Sequence, residues 1–306
     1  MIKLKASILF AIISLSCYAQ STNMLQEAND KLKKRNFESA LQDFNQILLE
    51  NPKNVPALRG RAETKLALSD YENALKDIDL ALSVDPNNSA AIVLKGDILF
   101  GQKDYTNALK LYDQALQKPG SPNQAIIGKS KVYTQTGKVK EAYNLLDNSI
   151  ENNPASAELY YARGLLNNLN QKYSKSLTDF DKAISLNPDF NQFGLFFNRG
   201  LSYFNLEEYP NAINDYNKAI EIDPSNATVY HSRGLAYYEN ESYQEAIKDF
   251  LKSSELSPNN SGTFYNLGMA YYKLEDIENA CMYFHKASQM KNINAYKMIV
   301  LTCGSK

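Results

Sequence analysis

Between Phe193 and Asn226 the apolar positions follow a helical period rather than the two-residue period of a strand. In FGLFFNRGLSYFNLEEYPNAINDYNKAIEIDPSN they recur three and four apart, which predicts two amphipathic helices, over about 193–206 and 209–222. Small residues at Gly200 and Ala212 let the two helices approach closely. The run Asp223-Pro224-Ser225-Asn226 stops the second helix, because proline cannot continue it and drives the preceding residue out of helical geometry. Such a helical hairpin cannot bury its apolar faces alone and needs neighbours of its own kind.

The chain supplies those neighbours. With Phe193 as position 1, the stretch carries Phe196 at 4, Gly200 at 8, Tyr203 at 11, Ala212 at 20, Tyr216 at 24, Ala219 at 27 and Pro224 at 32. Copies fall at 21–54, 55–88, 89–122, 123–156, 157–190, 193–226, 227–260 and 261–294, with Asn191 and Gln192 inserted before the sixth. The first copy is degenerate and polar, as an end repeat should be, and the fourth (Ser130, Tyr133, Ala142, Leu146, Pro154) is the weakest interior one. The insertion and the irregular Pro119-Gly120-Ser121-Pro122 are where the array is expected to bend. Neither reads as a disordered linker, so one continuous domain is expected. The apolar segment Ala295 to Cys303 reads as a helix covering the last copy, within a cap over 295–306, with Gly304 just past its end.

At these residues the chain resembles the tetratricopeptide repeat family, whose 34-residue pattern sets a large residue at 4, Gly at 8, Tyr at 11, Ala at 20, an aromatic at 24 and Pro at 32. The resemblance implies an all-α fold, a right-handed α-solenoid of helix-turn-helix repeats with a C-terminal capping helix. It also implies a concave groove that takes a protein or peptide and is lined by the first helices, chiefly at positions 2, 5, 9, 12 and 13. Carried onto this sequence, repeats two to four present Arg59, Glu63, Leu66, Val93, Asp97, Phe100, Ile127, Lys131 and Thr134. From repeat five the lining turns aromatic and aliphatic: Tyr161 and Leu165, Phe197, Leu201 and Phe204, His231, Leu235 and Tyr238, Tyr265, Met269 and Tyr272. Asn198 and Asn266, at position 6, are placed to hydrogen-bond a ligand backbone. An exposed strip of this kind marks a binding site; the alternative is that the rings pack against one another. The Lys and Asn pattern with which some family members clamp chaperone carboxyl-terminal tails is absent.

Composition removes other classes. With 33 basic and 34 acidic residues the chain has no electrostatic footprint for nucleic acid. Its two histidines, His231 and His285, belong to no metal-ligand spacing, and no glycine loop cradles phosphate, so no catalytic, metal or cofactor residue is assigned and no enzyme activity is expected. Aromatic faces stack on sugars, but no carboxylate pair is placed to hydrolyse them. Lys3 and Lys5, the apolar Ala6 to Leu15 and Cys17-Tyr18-Ala19 form a secretory signal peptide over 1–19, cleaved after Ala19, which implies a periplasmic or secreted protein without a membrane span once cleaved. The alternatives are a retained anchor and lipidation at Cys17, against which Ser14-Leu15-Ser16 lacks the usual leucine three residues before the cysteine.

Two pairings come from the residues themselves. Position 7 is arginine in Arg61, Arg163, Arg199 and Arg233, and each has an aspartate 16 residues later, at Asp77, Asp179, Asp215 and Asp249. Where position 7 is Lys95, Lys129 or Leu267, position 23 is Leu111, Leu145 or Tyr283, so the two residues belong together as a charge-assisted bond across each hairpin. In repeat one Asp43 is left to pair with Arg61 next door. Cys281 and Cys303 lie some ten residues on either side of a corner, and in an oxidising compartment they are expected to form a disulfide, the alternative being two buried thiols. The combined reading is a non-enzymatic adaptor of the cell envelope that binds a protein in its groove. The alternative is a structural subunit or lipoprotein of an outer-membrane or secretion assembly that acts through its convex face or ends.

Overall fold

A computed structural model describes residues 23–120 and 122–304, and among them every regular element is helical. The signal peptide, its cleavage site and Cys17 lie outside the described residues. After α1 over 23–33 come α2 (Phe37–Glu50), α3 (Val55–Ala67), α4 (Tyr71–Val84), α5 (Ser89–Gly101), α6 (Tyr105–Leu116), α7 (Pro122–Gln135) and α8 (Val139–Asn152). There follow α9 (Ala157–Leu169), α10 (Tyr173–Leu186), α11 (Gln192–Asn205), α12 (Tyr209–Ile222), α13 (Ala227–Glu239), α14 (Tyr243–Leu256), α15 (Ser261–Lys273), α16 (Ile277–Gln289) and α17 (Ile293–Met298).

The chain separates into two compact units, divided between Ser149 and Ile150 within α8. The division differs from the single continuous domain that the repeats suggest. It falls in the fourth copy, the weakest interior one, which like the third lacks an Arg–Asp pair.

Most hairpins start by one local chemistry, α11 excepted, whose Asn191 makes no side-chain cap. The last residue of a repeat caps the next first helix: Asn54 accepts from the Ala57 amide, Asn88 from Ala91 and Asn226 from Thr228, each satisfying an amide that the helix leaves without a partner. Between the two helices the chain turns through a left-handed residue at position 15, at Arg35, Ser69, Lys103, Gln171, Glu207, Glu241 and Glu275, and at Gly137. The amide that follows bonds back five residues, as Asp70 does to the Lys65 carbonyl, which closes the helix end.

Glycine at position 8 makes room for a ring rather than for another small residue. A Cβ on Gly96, Gly164, Gly200, Gly234 or Gly268 would meet the position-24 ring of the same hairpin (Tyr112, Phe180, Tyr216, Phe250 or Phe284) at 2.5–2.9 Å. Those rings are fully buried, and with the position-20 residue, alanine in all but repeat five where it is Ser176, they form the centre of each hairpin.

Within each unit successive hairpins stack, and their first helices also approach one another: α3, α5 and α7 in the first unit, and α9, α11, α13 and α15 in the second. That puts the first helices on the inner side of the stack. The closing segment departs from expectation. α17 begins at Ile293, two residues early, and passes into a π-helical turn over Ile299–Cys303. A disulfide joins Cys303 to Cys281 on α16, with the Cα atoms 5.8 Å apart.

Candidate ligand-binding groove

The paired charges settle as hairpin staples with a second, unexpected arm. Arg61, Arg163, Arg199 and Arg233 each grip the aspartate of their own hairpin with Nε and Nη2, Arg199 reaching Asp215 at 2.7 Å through both. The aspartates are almost wholly buried, so the arginines satisfy carboxylates that water cannot reach. The third nitrogen, Nη1, reaches position 25 of the preceding hairpin: Arg61 to Asn45, Arg199 to Asp181 and Arg233 to Asn217, at 2.6–2.7 Å. The lysines at position 7 keep this arm alone, Lys95 on Asp79 and Lys129 on Asp113. Position 7 therefore ties repeat to repeat as well as helix to helix. Asp43 does not pair with Arg61; Lys31 of α1 takes it instead, because Arg61 is already held by Asp77 and Asn45.

On the inner side of the second unit, the sequence-derived groove residues sit on α9, α11, α13 and α15. They are not the bare exposed strip that the spacing suggests. Tyr161, Phe197, Leu201, Phe204, His231, Tyr238 and Tyr265 are half-buried, and only Tyr272 is exposed, at 40%. The physical reason is a ring beneath each ring. Position 5 leans on the buried position-24 ring in Tyr161–Phe180, Phe197–Tyr216, His231–Phe250 and Tyr265–Phe284, at 5.5–6.1 Å between centroids. Position 12 meets position 17 edge-on in Phe204–Tyr209 and Tyr238–Tyr243. One side of each ring is fixed by the fold and the other is left to solvent.

Asn198 and Asn266 are also partly committed. Asn198 Nδ2 donates to the Gly194 carbonyl at 2.8 Å and more weakly to Tyr161 Oη at 3.4 Å. Asn266 Nδ2 lies 3.5 Å from His231 Nε2, while His231 Nδ1 lies 3.0 Å from Thr263 Oγ1. Each asparagine thus faces the position-5 ring of the repeat before it. With Nε2 accepting from Asn266, Nδ1 carries the proton and donates to Thr263, and burial holds the His231 pKa below its usual value.

Spacing gave no warning of a polar chain between repeats five and six. Ser176 Oγ bonds the Gly164 carbonyl and lies 3.1 Å from Ser202 Oγ, and Ser202 donates to Asn168 Oδ1 at 2.7 Å. The available signal was Ser176 at position 20, where the pattern wants alanine.

The inner side of the first unit is charged. A cleft of about 360 Å³ is lined by Arg59, Glu63, Val93, Asp97 and Gln124, with Ala90 and Leu94. Desolvation raises the Glu63 carboxyl, opposed by Arg59 and reinforced by Asp97. Asp97 is raised by its own burial, against a hydrogen bond from Tyr112 at 2.7 Å and the charge of Lys131. Among the described residues no group of three His, Cys, Asp or Glu side chains is placed to hold a metal, and no helix is long and apolar enough to cross a membrane.

Models of the tetratricopeptide repeat match residues 25–82, 200–241, 234–275 and 261–294. The chain carries tetratricopeptide repeats. Repeats of this kind are protein–protein interaction scaffolds. Over residues 88–192 the match is to the TT21 fifth ARM repeats domain, another helical-repeat description. Among solved structures, the repeat chain is similar to the APC/C hetero-tetramer Cut9–Hcn1, at 15% identity and a TM-score of 0.67 over 90% of this chain and 54% of that one. It therefore spans about half the length of that relative. It is also similar to MamA from Desulfovibrio magneticus RS-1, at 22% identity and a TM-score of 0.53 over 56% of this chain and 96% of that one. A tetratricopeptide repeat protein from Parabacteroides merdae matches at 22% identity and a TM-score of 0.50, over 81% and 98% of the two chains. At these identities the likeness is one of fold. A search of curated proteins finds no match.

Proposed function

We propose that this protein is an exported, non-enzymatic adaptor of the cell envelope that holds a protein or peptide against the inner face of its second unit. The observation that carries the reading is the row of half-buried rings on α9, α11, α13 and α15, each anchored from behind by a second ring. Rings held in this way lose little side-chain entropy on binding and still offer one apolar face, which is how aromatic anchors at protein interfaces work. Tyr161, Phe197, Leu201, Phe204, His231, Tyr238, Tyr265 and Tyr272 supply contact area, and Asn198 and Asn266 supply polar registration. Export is proposed from the signal-peptide pattern of Met1 to Ala19. No cofactor or metal enters the reading. The test is a pull-down from envelope extract with residues 20–306 beside the same chain carrying Phe204→Ala and Tyr238→Ala. A partner kept by the first and lost by the second, with helicity unchanged, supports the groove; a partner kept equally by both rejects it.

A further inference from the structure

The closing segment of the second unit has two apolar faces where the packing uses one. Ala295 is fully buried against the last hairpin. On the other side Ile293 is 73% exposed, Tyr296 62%, Val300 63% and Leu301 77%. Their spacing of three, four and one runs along one side of α17 and its π-helical continuation. Four large apolar side chains exposed together on one face mark a surface that something covers.

The charge around them says what. From Asn279 to Lys306 there is no aspartate or glutamate, in a chain that carries 34 of them. The same stretch holds Lys286, Lys291, Lys297 and Lys306. Lys291 and Lys297 are exposed and lie on either side of Ile293 and Tyr296 in the sequence, while Lys286 is turned over the Phe264 ring, 4.0 Å from its centroid. The disulfide to Cys281 ties the segment to α16, so the four side chains project from a fixed base.

We propose that this face of the second unit docks on an anionic phospholipid surface. Ile293, Val300 and Leu301 enter the acyl boundary, Tyr296 sits at headgroup level, and Lys291 and Lys297 meet the lipid phosphates. A bilayer supplies apolar depth and negative charge together without a shaped pocket, and the segment itself carries lysines and no carboxylate, the nearest in sequence being Glu278 at the start of α16. An acidic protein would also have to bring an apolar surface that fits four projecting side chains, so it explains the charge and not the projection.

The experiment is vesicle co-sedimentation of residues 20–306, which omits the apolar run of residues 6–15 that would bind lipid by itself. Vesicles of phosphatidylglycerol and phosphatidylethanolamine are compared with phosphatidylcholine vesicles. The protein is expected to sediment with the anionic vesicles and to weaken with added salt. Val300→Asp with Leu301→Asp should reduce binding at least ten-fold, and Lys291→Gln with Lys297→Gln should reduce it by roughly five-fold per lysine. All four positions are exposed, so circular dichroism and the melting temperature should not change. The proposal is overturned by absent binding to the anionic vesicles, by equal binding to phosphatidylcholine, or by an undiminished Val300→Asp, Leu301→Asp variant.

Discussion

Arg199 reaches Asp181 across a span of 18 residues, where the matching bond from Arg61 to Asn45 and from Arg233 to Asn217 spans 16. The two extra residues are Asn191 and Gln192, and the backbone absorbs them in a left-handed turn at Asn191 before α11 begins. The staple therefore survives an insertion that shifts the sequence register, which marks it as a constraint on how repeat six sits on repeat five. The hydrogen bonds that Arg199 donates to Asp215 and Asp181 hold its guanidinium in the charged form against the cost of burial.

Removing one partner of this arrangement should cost more than removing both. Arg199→Ala leaves Asp215, whose side chain is 2% exposed, without a counter-charge, at an expected cost of about 3 kcal/mol. Arg199→Leu with Asp215→Leu should recover much of that, because the desolvation penalty goes with the charges. Urea denaturation of the single and double variants measures the difference; additive losses would contradict the staple.

The turns at position 15 hold strain that glycine would relieve. Ser69, Lys103 and Glu241 are exposed, and each has a φ of 60–64° that costs an L-residue energy and costs glycine none. Glycine at each is expected to stabilise by about 0.5–1 kcal/mol, offset in part by its freer unfolded chain. Gly137, already glycine with a φ of 76°, serves as the control: Gly137→Ala should destabilise. A shift of the urea midpoint in the opposite direction for both kinds of variant would reject this account of the turns.

His231 should make stability fall in mild acid. Its folded pKa lies below the usual 6.5 because burial disfavours the imidazolium, so the unfolded chain takes up a proton first. The contribution of the neutral ring is complete above about pH 6.5 and is lost as pH falls from there towards the folded value. His231→Gln keeps a polar side chain at that position and should flatten the difference between pH 7.5 and 5. An identical pH slope in wild type and variant would show that another group is responsible.

Reducing the Cys281–Cys303 bridge should loosen the end of the second unit first. The bridge joins residues 22 apart, and the chain-entropy model assigns such a loop roughly 3 kcal/mol. Hydrogen exchange should show α17 opening on reduction while α9 to α14 keep their protection. Two reactive thiols in denatured, unreduced protein would sink the idea.

The repeats were legible because position-specific sterics write themselves into sequence. Gly234 is glycine because the Phe250 ring occupies the space of a Cβ, and that reason recurs at Gly96, Gly164, Gly200 and Gly268. The Arg–Asp staple was legible because internal copies change both partners together. Its second arm was not, since position 25 holds Asn45, Asp79, Asp113, Asp181 or Asn217 and an amide accepts the bond as well as a carboxylate. The rings lie on the first helices α9, α11, α13 and α15, as their spacing predicts, but their exposure was not legible. Whether Tyr161 faces water depends on Phe180 and Phe190 beneath it, which lie in other helices or loops. The closing segment misled for a related reason: the apolar run Ala295 to Cys303 implies burial, and the structure offers it only one packed face.

The most direct measurement compares capture of one envelope protein by three chains of residues 20–306: wild type, Phe204→Ala with Tyr238→Ala, and Glu63→Gln with Asp97→Asn. If the aromatic face of the second unit is the docking surface, the partner binds the wild type and the charge variant and is lost from the aromatic variant. Retention by the aromatic variant with loss from the charge variant would contradict it and move the site to the cleft of the first unit.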